Sequence, residues 1–200
     1  VAIFLRSIAA FAVLQALLLA APGTVSSPTT ALSPESCMAC ADSCDVLACH
    51  RMAVDLATNR DFTRAIAIEE RVLARQPRNP DVAAALAKMV QAGGHDTPRV
   101  IRLYHEALYS APGYPPALLG LGLVMRDKGE MAIAERYFAR GARENPGQPL
   151  FKVRLAEVLI ASGRTDEARP ILQEIVSQWP GSGEAEEASR MIPRTSLARP

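Results

Sequence analysis

The chain has 200 residues, 49% of them hydrophobic and 22% charged, which is the range of soluble globular proteins and leaves enough apolar surface for a real core. Twenty-two Lys plus Arg stand against 21 Asp plus Glu, so the formal net charge is only +1. That balance excludes a strong field for nucleic acid or an acidic membrane surface, and the arginines, scattered beside Asp or Glu, read as solvated, partly paired helix faces.

The first element is a leader. Arg6 precedes an uncharged run from Ser7 to Ala21, SIAAFAVLQALLLAA, in which only Gln15 is strongly polar. A helix over that run rises about 22 Å, short of the roughly 30 Å hydrocarbon core, so a cleaved secretory leader fits better than a membrane anchor. Ala21 and Gly23 occupy the −3 and −1 places of a small-x-small site, which puts the expected cut before Thr24; Ala20 also qualifies at −1. Residues 1–23 are therefore expected to be a signal peptide, with an N-terminal anchor as the alternative. The protein is expected to be exported, to a periplasmic or cell-envelope location, and to meet a membrane only through an uncleaved leader. Residues 24–36 are rich in Ser, Thr and Pro with almost nothing to bury, and should form a flexible linker.

A cysteine-rich segment, residues 37–45, comes next. All four cysteines, Cys37, Cys40, Cys44 and Cys49, lie close together, and His50 follows at once. In an oxidising compartment they most simply form two disulfides, with three pairings that the sequence does not choose among. Closing a loop of about twelve residues stabilises by roughly 3 kcal/mol in the chain-entropy model, useful to a first unit with no neighbour on one side. Two alternatives stay open. Four thiolates plus His50 suit zinc or an iron–sulfur cluster, and Cys44-x₄-Cys49-His50 is similar to a C-x₂-C-H haem attachment but two residues longer between the thiols. A redox pair at Cys37 and Cys40 lacks the alternating strands and helices that give such motifs meaning.

From residue 46 the sequence is periodic. Pro77, Pro112, Pro146 and Pro180 are spaced by 35, 34 and 34 residues. ARQP, YSAP, RENP and SQWP each close a helical pattern, while RNPDV, YPPAL and GQPLF open the next, as proline suits helix exits and first turns. Each unit is split by a polar turn (TNRD, AGGHDT, RDKGE and ASGRTDE), so the units 46–80, 81–114, 115–148 and 149–180 each read as helix, turn, helix. In the third unit Leu118, Leu121, Gly122 and Met125 mark one helical face, and Ala134, Phe138 and Gly141 mark the face of its second helix, with small residues where backbones approach. Residues 181–192, GSGEAEEASRMI, read as an amphipathic capping helix, with Trp179 packed between it and the last unit. Residues 193–200 are expected to be a disordered tail.

This pattern resembles the tetratricopeptide repeat family, whose signature runs W-x₂-L-G-x₂-Y, then A-x₃-F, then P. The large-then-small pair of the first helix is Met52 and Ala53, Leu121 and Gly122, and Leu155 and Ala156, with Ala87 and Lys88 as a departure in unit two. The small position of the second helix is Ala65, Ala134 and Ala168, with Val100 as the exception, and the aromatic position is Tyr104 and Phe138 but Glu69 and Leu172 elsewhere. The resemblance implies an all-α, right-handed solenoid of about four helix-turn-helix repeats plus the cap, with a concave face lined by first helices that binds a peptide or partner helix.

On that resemblance the groove positions are His50 and Val54, Ala85 and Met89, Leu119, Leu123 and Arg126, and Val153, Glu157 and Ile160. With no Asn and Arg126 as its only Lys or Arg, such a trough does not suit a carboxylate clamp; Met89 supplies an adaptable contact and Arg126 sets orientation. Phosphate-loop, nucleophile-elbow and H-E-x-x-H motifs do not occur, and His50, His95 and His105 are far apart in sequence. No catalytic residue, metal, cofactor or enzymatic activity is expected, and the implied partner is another protein or peptide, not nucleic acid. The alternative is a redox, haem or metal protein built on Cys37 to His50, with the repeats only docking it.

Overall fold

The computed structural model describes Pro34 and residues 45–94 and 97–196, with side chains through Ile192, all within the larger of two compact units, residues 32–200. The expected leader, Cys37, Cys40, Cys44 and His95 lie outside the described residues.

Among the described residues the regular structure is helical. The order is α1 (Val46–Thr58), α2 (Phe62–Arg75), α3 (Pro80–Ala92), α4 (Thr97–Ser110), α5 (Pro115–Asp127), α6 (Met131–Glu144), α7 (Pro149–Ala161), α8 (Thr165–Gln178) and α9 (Gly183–Ser196). Consecutive helices pack as pairs, α1 with α2 through α7 with α8, and α9 closes the stack against α7 and α8. The fold is the all-α solenoid that the periodicity predicts. None of these helices is long and apolar enough to cross a membrane.

Local chemistry fixes the boundaries. Pro80, Pro115 and Pro149 occupy the first helical turn, where a missing N–H costs nothing. Asp45, Asp61 and Asn79 cap α1, α2 and α3 by accepting from the backbone N–H of Leu47, Arg64 and Asp81 at 3.0, 3.2 and 3.0 Å. Each first helix ends in a left-handed residue: Gly94, Gly129 and Gly163 at φ of 75°, 78° and 77°, and Arg60 at 65° in the first repeat. Pro170 is a departure from the proline rule. It lies inside α8, exposed to solvent, where the lost backbone bond faces water. At the C-terminus α9 runs to Ser196, past the expected end of the cap at residue 192.

Three apolar clusters knit the stack. The first joins α1 and α2 to Val82 and Met89 of α3. The second runs through the middle repeats to Phe151 and Val158, and the third joins α7, α8 and α9, with half-buried Trp179 packed on it. Close approach depends on glycine. A Cβ on Gly122 would lie 2.3 Å from Phe138, on Gly120 2.2 Å from Tyr104, and on Gly141 2.2 Å from Phe151, so in each case an aromatic ring occupies the space a side chain would need.

Candidate interaction groove

Curvature follows from which helices touch. First helices meet at α1 with α3 and α3 with α5, and α7 meets α9, whereas among the described residues no two second helices show comparable contact. The first helices therefore lie on the inside of the bend, and their solvent-facing residues line its concave side.

The helix starts fix which residues those are. Val46, Pro80, Pro115 and Pro149 are 34, 35 and 34 residues apart, but the second helices start at Phe62, Thr97, Met131 and Thr165, which are 35, 34 and 34 apart. The extra residue of unit two thus sits in the turn between α3 and α4, after the first helix. Carrying the 35-residue proline spacing onto α3 shifts its register by one, and the expectations there need correction. The large-then-small pair of unit two is Leu86 and Ala87, both buried, so this unit does not depart from the pattern. The residues equivalent to His50 and Val54 are Ala84 and Lys88, not Ala85 and Met89. Met89 is buried against the first cluster, and Lys88 is exposed on the groove side.

The two ends of the groove differ. Between α1 and α3 there is an open apolar pocket of about 410 Å³, walled by Val54, Ala57, Phe62, Ala85 and Met89, with Lys88 at its lip. Val54 is 40% exposed, and Leu47, two turns earlier on α1, is 60% exposed. Farther along, Leu119, Leu123 and Ile160 are half-buried. Val153, expected in the groove, is fully buried in the cluster shared by α7, α8 and α9, because the cap covers it.

Charge at this second end is already neutralised. Arg126 pairs with Asp127 at 3.0 Å and with Glu157 at 3.5 Å, Arg154 donates to Glu157 at 2.5 Å and Glu187 at 3.1 Å, and the chain of alternating charges runs from α5 to α9. Arg126, expected to set a partner's orientation, is held by these neighbours in the free protein.

His50 does not simply face the groove. Its Nδ1 lies 2.7 Å from Oε1 of Glu69, which is completely buried, while Oε2 of Glu69 is buried with no hydrogen-bond partner. Glu69 occupies the place of Tyr104, Phe138 and Leu172 in the later repeats. Burial pushes its carboxyl up to about 7, and His50 only partly opposes this. The mismatch was visible in the sequence as a Glu at an aromatic position; its partner was not. Cys49 is buried on α1 against the same cluster. Among the described residues no group of three or more His, Cys, Asp or Glu could hold a metal ion, and His50 and His105 remain separate, the latter edge-on to Tyr137.

Residues 125–192 match the family model described as tetratricopeptide repeat. No curated protein matches the chain by sequence. Among solved structures it is similar to TTC0263, a thermophilic TPR protein in Thermus thermophilus, at 22% identity and a TM-score of 0.62, covering 76% of this chain and 82% of that one. It is also similar to MamA protein, at 19% identity and a TM-score of 0.60 over 76% of this chain and 87% of that one. A third is YrrB, a TPR protein with an unusual peptide-binding site, at 17% identity and a TM-score of 0.58 over 78% and 87% of the two chains.

Proposed function

From the premise that this chain is a tetratricopeptide-repeat protein, we propose that it is an exported interaction scaffold or assembly factor that holds a peptide or partner helix in its concave groove. The observation that carries this reading is the open, mostly apolar strip along the inner helices, beginning at exposed Val54 and continuing through half-buried Leu119 and Leu123. YrrB, similar in fold, is described as having an unusual peptide-binding site, which supports peptide binding as the use of such a fold. Export rests on the Ser7 to Ala21 run. Cys37, Cys40, Cys44 and Cys49 are structural disulfides in this reading, stapling the first repeat.

A photo-crosslinking residue at Val54 or Leu123 should capture a partner in the cell envelope, while one at Tyr109, exposed on the second-helix side, should not. Equal capture from Tyr109, or capture from neither inner position, refutes the groove. Sequencing of the mature N-terminus tests export, with Thr24 expected first. Bound metal or a visible chromophore in that mature protein would favour the metal or haem alternative.

A further inference from the structure

The inner face is not used evenly, and its charges show where a partner is anchored. Arg126 and Arg154 have carboxylates of their own at Asp127, Glu157 and Glu187. Asp81, two turns before Lys88 on α3, accepts from the Tyr114 hydroxyl. Lys88 has no ion pair among the described residues, and it stands at the lip of the apolar pocket between α1 and α3. Covering that pocket with an apolar group alone would strip water from an uncompensated ammonium; an acidic neighbour on the partner removes that cost.

We propose that this pocket is the primary anchor of the groove and that it takes a partner segment carrying an acidic residue beside a bulky apolar one. The apolar side chain enters between Val54 and Met89, and the carboxylate pairs with Lys88. The volume of about 410 Å³ accommodates a large side chain with part of its neighbour. This rests on the peptide-binding reading and adds both the location and the chemistry of the ligand.

The test uses short fluorescent peptides in three matched pools, with Leu, Phe or Trp placed beside Glu, beside Gln or beside Lys, titrated by anisotropy against the full chain. The Glu pool should bind at least about tenfold more tightly than the Gln pool. Lys88→Glu, at an exposed position, should abolish that preference and gain affinity for the Lys pool, with circular dichroism unchanged. Val54→Asp should weaken every pool, and Leu123→Asp should weaken them less. Equal binding of all three pools, or a Lys88→Glu variant that still prefers the Glu pool, overturns the proposal while leaving a groove binder intact. Binding lost through Leu123→Asp but not Val54→Asp overturns it in the same way. No binding from any pool removes the peptide-binding reading itself. Self-association that Val54→Asp abolishes, without peptide binding, would assign the pocket to a second copy and overturn the proposal.

Discussion

Replacing Glu69 with Leu should make the protein more stable at neutral and alkaline pH, against the usual cost of altering a fully buried residue. The carboxyl sits where repeat four has Leu172, is completely buried, and leaves Oε2 without a hydrogen-bond partner. Its pKa rises from an ordinary 4.5 to about 7, first because burial disfavours the charge, with His50 as the titratable group that faces it and pulls the other way. A raised folded-state value means that the folded state holds the proton more tightly. Its stabilising contribution is therefore complete below pH 4.5 and is lost as pH rises through about 7. At about 1.4 kcal/mol per pH unit, that interval amounts to about 3 kcal/mol of local stability. Amide hydrogen exchange in α1 and α2, corrected for intrinsic rates, should show protection falling between about pH 5 and about pH 8 in the parent. In Glu69→Leu the slope should flatten, and the melting temperature at the alkaline end should exceed the parent's, because a buried carboxyl with one unsatisfied oxygen is removed while partly exposed His50 can turn to water. A parent profile without this slope, or a Glu69→Leu protein that melts lower at alkaline pH, would refute the reasoning.

Gly122→Leu should cost about 3 kcal/mol or more, because its first added carbon already meets Phe138 at 2.3 Å, and a thermal melt checks it. Phe138→Leu in the same chain should recover part of that loss. Deleting residues 149–200 should expose the middle cluster at Phe151's vacated place and lower exchange protection in α5 and α6 more than in α1 and α2; equal loss would contradict nearest-neighbour stacking. Arg60→Gly should raise stability by about 0.5–1 kcal/mol in chemical denaturation, since Arg60 holds a φ of 65° where the next three repeats use glycine.

The repeat lattice was legible because its determinants are local and recur: prolines in first turns, polar turns, and small residues opposite rings. Proline spacing alone could not say on which side of α3 the extra residue lay, so the register of that helix, and with it Lys88, needed the backbone. The pairing of Arg126 with Glu157 crosses from one repeat to the next, and Val153 looked accessible because the covering helix α9 comes later in the chain. Glu69 announced a mismatch but not its answer, since His50 is nineteen residues away on the facing helix. Each miss is a contact between elements that no periodicity encodes.

The ring-in-glycine locks are unevenly distributed. Tyr104 on Gly120 fastens repeat two to repeat three, Phe138 on Gly122 closes repeat three on itself, and Phe151 on Gly141 fastens repeat four to repeat three. Between the first and second repeats there is no such lock among the described residues; Val82 and Met89 of α3 rest on aliphatic side chains and on the cluster beside Glu69. Repeat three thus acts as the keystone of the stack, while the first repeat is joined to the second without a ring seated on glycine. The pocket under Val54 lies across that joint, so a segment seated there would bridge α1 and α3 and add to the contacts that hold the first repeat to the second.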